Sequence, residues 1–117
     1  MSPKPDTRMV CRDTAWDHYQ CGLASSKNSY RFGEAEKHFL RAIELSNEER
    51  PNSILADALI AYASLLVKMK RPREAIATYE RRLALKRFPN EDRLERRCTA
   101  EYLAALKQEL AASGEAS

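Results

Sequence analysis

An internal repeat is the feature that most constrains the fold of this chain. The segments 32–45 and 71–85 resemble each other, and their matched residues lie 40 positions apart. The matched pairs are Glu34 and Glu74, Ala35 and Ala75, Phe39 and Tyr79, Arg41 and Arg81, Ile43 and Leu83, and Leu45 and Leu85. A period of about 20–50 residues is typical of folds built from one repeated supersecondary unit. The 117 residues are therefore predicted to form stacked units rather than a single core.

Hydrophobic periodicity predicts five helices and no strand. In the second helix, Ala35, Phe39, Ala42 and Ile43 follow the i, i+4, i+7, i+8 spacing of one helical face. The predicted helices cover residues 14–27, 30–47, 53–70, 72–87 and 91–112. The predicted apolar faces of the first, third and fifth helices are Trp16, Tyr19 and Leu23; Leu55, Leu59, Tyr62, Ala63 and Leu66; and Leu94, Cys98, Tyr102, Leu106 and Leu110.

The helix boundaries also repeat. The dipeptides Pro51-Asn52 and Pro89-Asn90 each follow a repeated segment. Proline stops a helix and asparagine is a good N-cap, so each dipeptide is predicted to separate one helix from the next. Asp13 is a candidate N-cap of the first helix. Residues 1–12 contain two prolines and no periodicity, so we expect a disordered N-terminal tail.

Composition indicates a soluble, cytoplasmic protein. The sequence is 32% charged with a mean hydropathy of −0.61. Its longest nearly apolar stretch, residues 58–67, is half the length of about 20 residues that a membrane span requires. The N-terminus has no apolar segment of the kind found in secretory signals, so we expect neither secretion nor membrane association.

The cysteines and histidines give no pattern of a known site. Cys11, Cys21 and Cys98 are odd in number and contain no C-x-x-C pair, which predicts three reduced thiols. His18 and Cys21 are three residues apart and share a helical face, but two ligands do not close a metal site. His38 is assigned to a solvent-facing position. We therefore expect no metal and no cofactor.

The positive charge is concentrated in residues 68–97, where eleven basic and five acidic residues give a net charge of +6. Such a region can attract nucleic acid. The alternative is a solvated helical surface with pairs one turn apart. We favour the second interpretation, because aromatic residues that would stack on bases are not interleaved with these charges.

The repeated pattern resembles the tetratricopeptide repeat, in particular the longer-period variety of kinesin light chain and many bacterial repeat proteins. Trp16-x-x-Tyr19-x-x-Gly22 followed by residues 32–36 resembles one repeat, and residues 59–66 followed by 74–83 resemble the next. The resemblance covers residues 14–110. A HEAT-like repeat or a generic helical bundle is the alternative fold, but small and aromatic residues recurring in phase favour the tetratricopeptide repeat.

The resemblance implies an all-α superhelix of two helical hairpins and a C-terminal capping helix. The repeat domain would cover residues 13–113, with repeat 1 at 13–50, repeat 2 at 51–88, and a cap or partial third repeat at 89–113. The sequence departs from the pattern of this repeat at two places. Arg82 replaces the small Ala42, which puts close packing there in doubt, and residues 114–116 echo residues 33–35 as if another helix were to follow.

The resemblance also implies a non-catalytic adaptor or scaffold that binds a peptide of a partner protein in a groove lined by the first helix of each unit. Ile60 and Ser64 stand where a carboxylate-gripping asparagine would be needed, so chaperone-tail binding is not expected. Lys27, Lys68 and Arg97 suit an acidic peptide with an apolar anchor. Homo-oligomerisation and nucleic-acid binding remain alternatives, and no catalytic residue pattern is present. The expected groove residues are Gln20, Ala24, Lys27, Ile60, Ser64, Lys68, Arg97 and Ala104.

Overall fold

The protein is all-α throughout residues 11–113, the part of the chain that the computed structural model describes. The helices are α1 (Ala15–Ser25), a short 3-10 helix (Ser29–Arg31), α2 (Phe32–Glu44), α3 (Ser53–Lys68), α4 (Pro72–Ala84) and α5 (Arg93–Ala112). All five predicted helices are confirmed. Of the predicted tail, residues 1–10 lie outside the described residues, as do residues 114–116. Within the described range no helix combines the length and apolar character needed to span a membrane.

Consecutive helices pack as pairs. α1 packs against α2 and α3 against α4, while contacts of α2 with α3 and of α4 with α5 join these hairpins into a stack. The resulting molecule measures 61 × 36 × 21 Å. The predicted superhelix of two helical hairpins and a terminal helix is confirmed.

Side-chain caps fix the starts of three helices. The Thr14 hydroxyl accepts a hydrogen bond from the Asp17 N–H at 3.1 Å, so Thr14 and not Asp13 caps α1. Asn52 caps α3 as predicted, accepting from the Leu55 N–H at 3.0 Å. The prediction for Asn90 was wrong. Asn90 has a φ of 62°, typical of a turn, and Asp92 caps α5 two residues later.

The repeated positions are buried in both hairpins. Ala35 and Ala75 are fully buried, and the matched aromatic residues Phe39 and Tyr79 are 1% and 3% exposed. The core continues along α3 with leucine and alanine side chains. Small and aromatic residues that recur in phase therefore do form the contacts between helices, as the sequence predicted.

Arg82, by contrast, is packed as tightly as the alanine that it replaces. Its side chain is fully buried and forms ion pairs with Glu91 at 3.1 Å and Glu95 at 2.7 Å. Arg96 joins this cluster through Glu91 at 2.7 Å and donates hydrogen bonds to the carbonyls of residues 83 and 85 at the end of α4. The cluster attaches α5 to the second hairpin. The interpretation of this basic region as a solvated surface was therefore wrong for Arg82 and Arg96.

The buried face of α5 also differs from the prediction. Thr99, Leu103 and Leu106 are buried, whereas Leu94 and Tyr102 are 66% and 49% exposed. Steps of four residues advance by about 40° more than a full turn of the helix, so a stripe at that spacing winds away from the packed face. An apolar stripe of α5 consequently remains available on the surface.

Candidate functional site

A surface groove of about 370 Å³ lies between α3 and α5, and we call it the α3–α5 groove. α3 contributes Ile60 and Ser64, and the remaining lining residues come from α4 and α5. Its lining residues are Ile60, Ser64, Tyr79, Glu95, Cys98, Thr99 and Tyr102. The exposed stripe of α5 forms one wall of this groove, which explains why Cys98 and Tyr102 are not in the core.

Two tyrosines form the aromatic wall of the groove. The rings of Tyr79 and Tyr102 meet edge to face, with 5.4 Å between their centroids and 65° between their planes. The Tyr79 hydroxyl lies 3.2 Å from the Ser64 hydroxyl oxygen, and burial raises the pKa of Tyr79. Tyr79 is thus held by contacts on both sides, with its hydroxyl at Ser64 and its ring against the half-exposed Tyr102.

A second cavity, of about 200 Å³, continues along α3 and shares Ser64 with the α3–α5 groove. Ile60, Ser64 and Lys68 follow one another at steps of four along α3. They therefore lie along one side of that helix. The lining of the second cavity consists of Leu23, Ser26, Phe39, Ala61, Ser64, Leu65 and Lys68.

Opposite charges lie along this surface. Glu95 lines the α3–α5 groove, and the exposed Lys68 lines the second cavity. Asp57 lies one turn before Ile60, and its pKa is raised by partial burial and by the neighbouring Glu95 carboxylate. The surface along α3 therefore has carboxylates toward one end and an ammonium group toward the other.

The structure brings together three of the eight predicted groove residues, namely Ile60, Ser64 and Lys68. Ala24 lines a different cavity, beside α2. Arg97 is exposed on α5 and lies 3.5 Å from Glu101. Gln20 is half-buried on α1, Lys27 is exposed in the turn that follows α1, and Ala104 is exposed on α5.

Sequence reasoning missed five lining residues of the α3–α5 groove: Tyr79, Glu95, Cys98, Thr99 and Tyr102. The apolar stripe on the fifth helix was the available signal. The spacing of this stripe was interpreted as a face buried in the core. Of Leu94, Cys98, Tyr102 and Leu106, however, only Leu106 is buried.

The first hairpin contains a third cavity, of about 410 Å³, whose lining includes Cys11, Cys21 and His38. The prediction that His38 faces solvent was wrong, because His38 is half-buried and its Nδ1 lies 3.0 Å from Nδ1 of His18. Burial and the nearby His18 lower the pKa of His38. Burial and the neighbouring Cys11 raise the pKa of Cys21 to about 12.

A comparison with known families places the central helices in one of them. The model described as tetratricopeptide repeat matches residues 31–87, which contain α2, α3 and α4. No curated protein and no solved structure matches the chain. The sequence match coincides with the repeated small and aromatic positions, and the helices around it pack as hairpins. Residues 31–87 therefore belong to the tetratricopeptide repeat family.

Proposed function

We propose that this protein is a non-catalytic adaptor that binds a segment of a partner protein in the α3–α5 groove. Tetratricopeptide repeats are in general protein-interaction repeats. The observation that carries the proposal is the half-exposed Tyr102, whose ring packs against Tyr79 in a groove that is also lined by the apolar side chain of Ile60. Tyrosine in such a setting is typical of residues that dominate binding energy at protein interfaces.

The groove favours a ligand of particular chemistry. A volume of about 370 Å³ accommodates an apolar or aromatic anchor side chain between Ile60 and Tyr102. Lys68 favours an acidic residue of the ligand on one side, and Glu95 favours a basic residue on the other. The predicted residues Gln20, Lys27, Arg97 and Ala104 would then flank the bound segment.

The basic region at residues 68–97 gives little support to nucleic-acid binding. At least six of its eleven cationic side chains are paired with carboxylates, which reduces the charge available to phosphates. The pairs are Arg71 with Glu36 and Glu74, Arg81 with Glu48, Arg82 with Glu91 and Glu95, Lys86 with Glu49, Arg96 with Glu91, and Arg97 with Glu101.

Self-association is a second candidate function, because large apolar side chains are exposed at several places. Trp16 is 53% exposed on α1, and Leu94 is 66% exposed on α5. Two hairpins are also fewer than the three repeats that a stable stack usually needs. Sedimentation equilibrium over a wide concentration range tests this candidate. A monomer at the highest concentration, with cooperative unfolding, contradicts it.

Selection from a random peptide library tests the adaptor proposal directly. The affinity of the selected peptides is then measured by isothermal titration for the full chain and for the double variant Ile60→Ala/Tyr102→Ala. We expect at least a tenfold loss of affinity, since residues of this type each contribute about 2 kcal/mol or more when they anchor an interface.

The matched control is Tyr30→Ala, since Tyr30 is 84% exposed and lies outside the groove. This variant should bind the peptides as the parent chain does. Equal affinity of the parent chain and the Ile60→Ala/Tyr102→Ala variant would contradict the assignment of the groove.

A further inference from the structure

Four side chains with metal-binding atoms converge beside the first hairpin. Cys11 precedes α1, His18 and Cys21 lie one turn apart on α1, and His38 comes from α2. Sγ of Cys11, Sγ of Cys21 and a ring nitrogen of His38 all lie within 4.8 Å of one another. Nδ1 of His18 is close to two members of this set, 3.3 Å from Sγ of Cys11 and 3.0 Å from Nδ1 of His38.

These separations are close to the edges of a tetrahedral zinc site. With Zn–N of about 2.0–2.1 Å and Zn–S of about 2.3 Å, tetrahedral geometry puts two nitrogens about 3.4 Å apart and a nitrogen about 3.6 Å from a sulfur. The two Nδ1 atoms are 3.0 Å apart. Sγ of Cys11 lies 3.3 Å from Nδ1 of His18 and 3.7 Å from Nδ1 of His38. The separations among Cys11, His18 and His38 are therefore within a few tenths of an ångström of tetrahedral values, and Sγ of Cys21 lies within 4.8 Å of the ligand atoms of Cys11 and His38.

The surroundings of His18 also fit a metal ligand. Its Nε2 lies 2.9 Å from a carboxylate oxygen of Asp13, and Asp13 is held in turn by Arg41 at 2.7 Å. A proton on Nε2 that is donated to Asp13 leaves the lone pair of Nδ1 directed at the cluster. A carboxylate that orients a ligating histidine in this way is typical of zinc sites in proteins.

We propose that Cys11, His18, Cys21 and His38 form a Zn²⁺ site. Two thiolates and two imidazoles are the ligand set that favours zinc over magnesium or calcium. The bound ion joins the segment before α1 to both helices of the first hairpin. It therefore holds this segment over the outer side of the hairpin, the side that no preceding repeat covers within the described residues.

A disulfide between Cys11 and Cys21 is the competing state of the same two sulfurs. Forming it removes two electrons and two protons and needs an oxidant, and it leaves the convergence of two imidazoles unexplained. The experiment distinguishes the two states by intact mass, since the disulfide is two hydrogens lighter than the dithiol.

The test uses the full-length untagged chain, reduced with a phosphine and stripped of metal with EDTA. Titration with Co²⁺ should give one equivalent bound, with thiolate-to-cobalt charge-transfer bands and the intense visible bands of tetrahedral cobalt. Zn²⁺ should then displace Co²⁺ at the same stoichiometry. Absence of stoichiometric Co²⁺ and Zn²⁺ binding by the reduced chain overturns the proposal, as does a chain purified as the Cys11–Cys21 disulfide that binds no zinc after reduction.

Variants assign the ligands. Cys11→Ser and His38→Gln should each abolish the charge-transfer bands or weaken Zn²⁺ affinity by orders of magnitude. Cys11 lies before α1, outside the described helices, so its replacement leaves the core unchanged. Asp13→Asn should weaken affinity about 10–100-fold. Cys98→Ser is the control, because Cys98 lies in the α3–α5 groove, and it should bind as the parent chain does. Circular dichroism establishes that each variant is folded. Unchanged affinity in both Cys11→Ser and His38→Gln overturns the assignment.

Discussion

The ring of Phe39 on α2 lies directly against the backbone of Gly22 on α1. A Cβ atom added at position 22 would come within 2.5 Å of Cε1 and 2.6 Å of Cδ1 of Phe39. Real side chains do not approach so closely, so the absence of a Cβ at this position is what allows α1 and α2 to pack at their observed distance.

Gly22→Ala is therefore expected to destabilise the protein, although alanine is the better helix former. Overpacking of a core costs about 1–3 kcal/mol, against a gain in helix propensity of about 1 kcal/mol. We expect a net loss of about 1–2 kcal/mol in the free energy of unfolding, measured by urea denaturation. The matched control is Gly33→Ala, because a Cβ there meets nothing within 4 Å. The control should be neutral or stabilising, and equal effects of the two substitutions would contradict this account of Gly22.

Arg82→Ala is expected to cost about 3–5 kcal/mol of unfolding free energy. It removes the cation that pairs with Glu95, takes one of two arginine partners from the buried Glu91, and leaves a cavity where a fully buried side chain stood. Lys107→Ala provides the control. Lys107 forms an ion pair with Glu80 at 3.0 Å between the same two helices, but both side chains are about half exposed. That pair should be worth at most about 1 kcal/mol. Unfolding free energies are measured by chemical denaturation. Similar losses in Arg82→Ala and Lys107→Ala would show that burial does not make the Arg82 ion pairs more important for stability than an exposed pair.

Stability should fall in acid through Glu91. Burial works to raise the pKa of Glu91, but hydrogen bonds from Arg96 and Arg82 outweigh it and hold the pKa below the ordinary value of 4.5. The stabilisation from ionised Glu91 is therefore complete above pH 4.5 and is lost as the pH falls through the lowered pKa. Unfolding free energies of the parent chain and of Glu91→Gln, measured from pH 7 to pH 3, should converge in acid. Parallel curves would contradict this role.

Lys70→Gly is expected to stabilise the protein. Lys70 has a φ of 64°, and the N–H of Arg71 bonds to the carbonyl of Leu66 at 2.9 Å in a C-terminal helix cap that favours glycine. Glycine adopts the left-handed conformation without steric strain. After its entropic cost is subtracted, the free energy of unfolding should rise by about 0.5–1 kcal/mol. The control Lys37→Gly, at an exposed position inside α2, should lose about 1 kcal/mol. A loss in both variants, measured by thermal and urea unfolding, would contradict the prediction.

The helices and the repeat could be predicted from the sequence because they depend on local spacing. Ala35 and Ala75, 40 residues apart, occupy the same buried position in the two hairpins. Helix ends were harder to predict. Thr14, rather than the neighbouring Asp13, caps α1, since Asp13 is drawn away by Arg41, 28 residues later in the chain.

The candidate sites depend on contacts that no local pattern contains. Arg82 appears in the sequence as a surface charge, and only the fold shows that it is buried and paired with Glu91 and Glu95. In the same way, Cys11 and His38 are 27 residues apart, and only the packing of the first hairpin brings them together. The spacing of His18 and Cys21 could be seen in the sequence, but the proximity of Cys11 and His38 to them could not.

Glu95 takes part in two structures at once, because its carboxylate accepts hydrogen bonds from Arg82 at 2.7 and 3.0 Å and also lines the α3–α5 groove. Both hydrogen bonds go to Oε1, so a ligand cation bound at that oxygen would compete with Arg82 for the Glu95 carboxylate. Occupancy of the groove and attachment of α5 are thus linked thermodynamically, and the linkage is reciprocal. If the proposed groove binds a partner, one that engages Glu95 would loosen the terminal helix, whereas one held by Tyr102 and Lys68 alone would leave it in place.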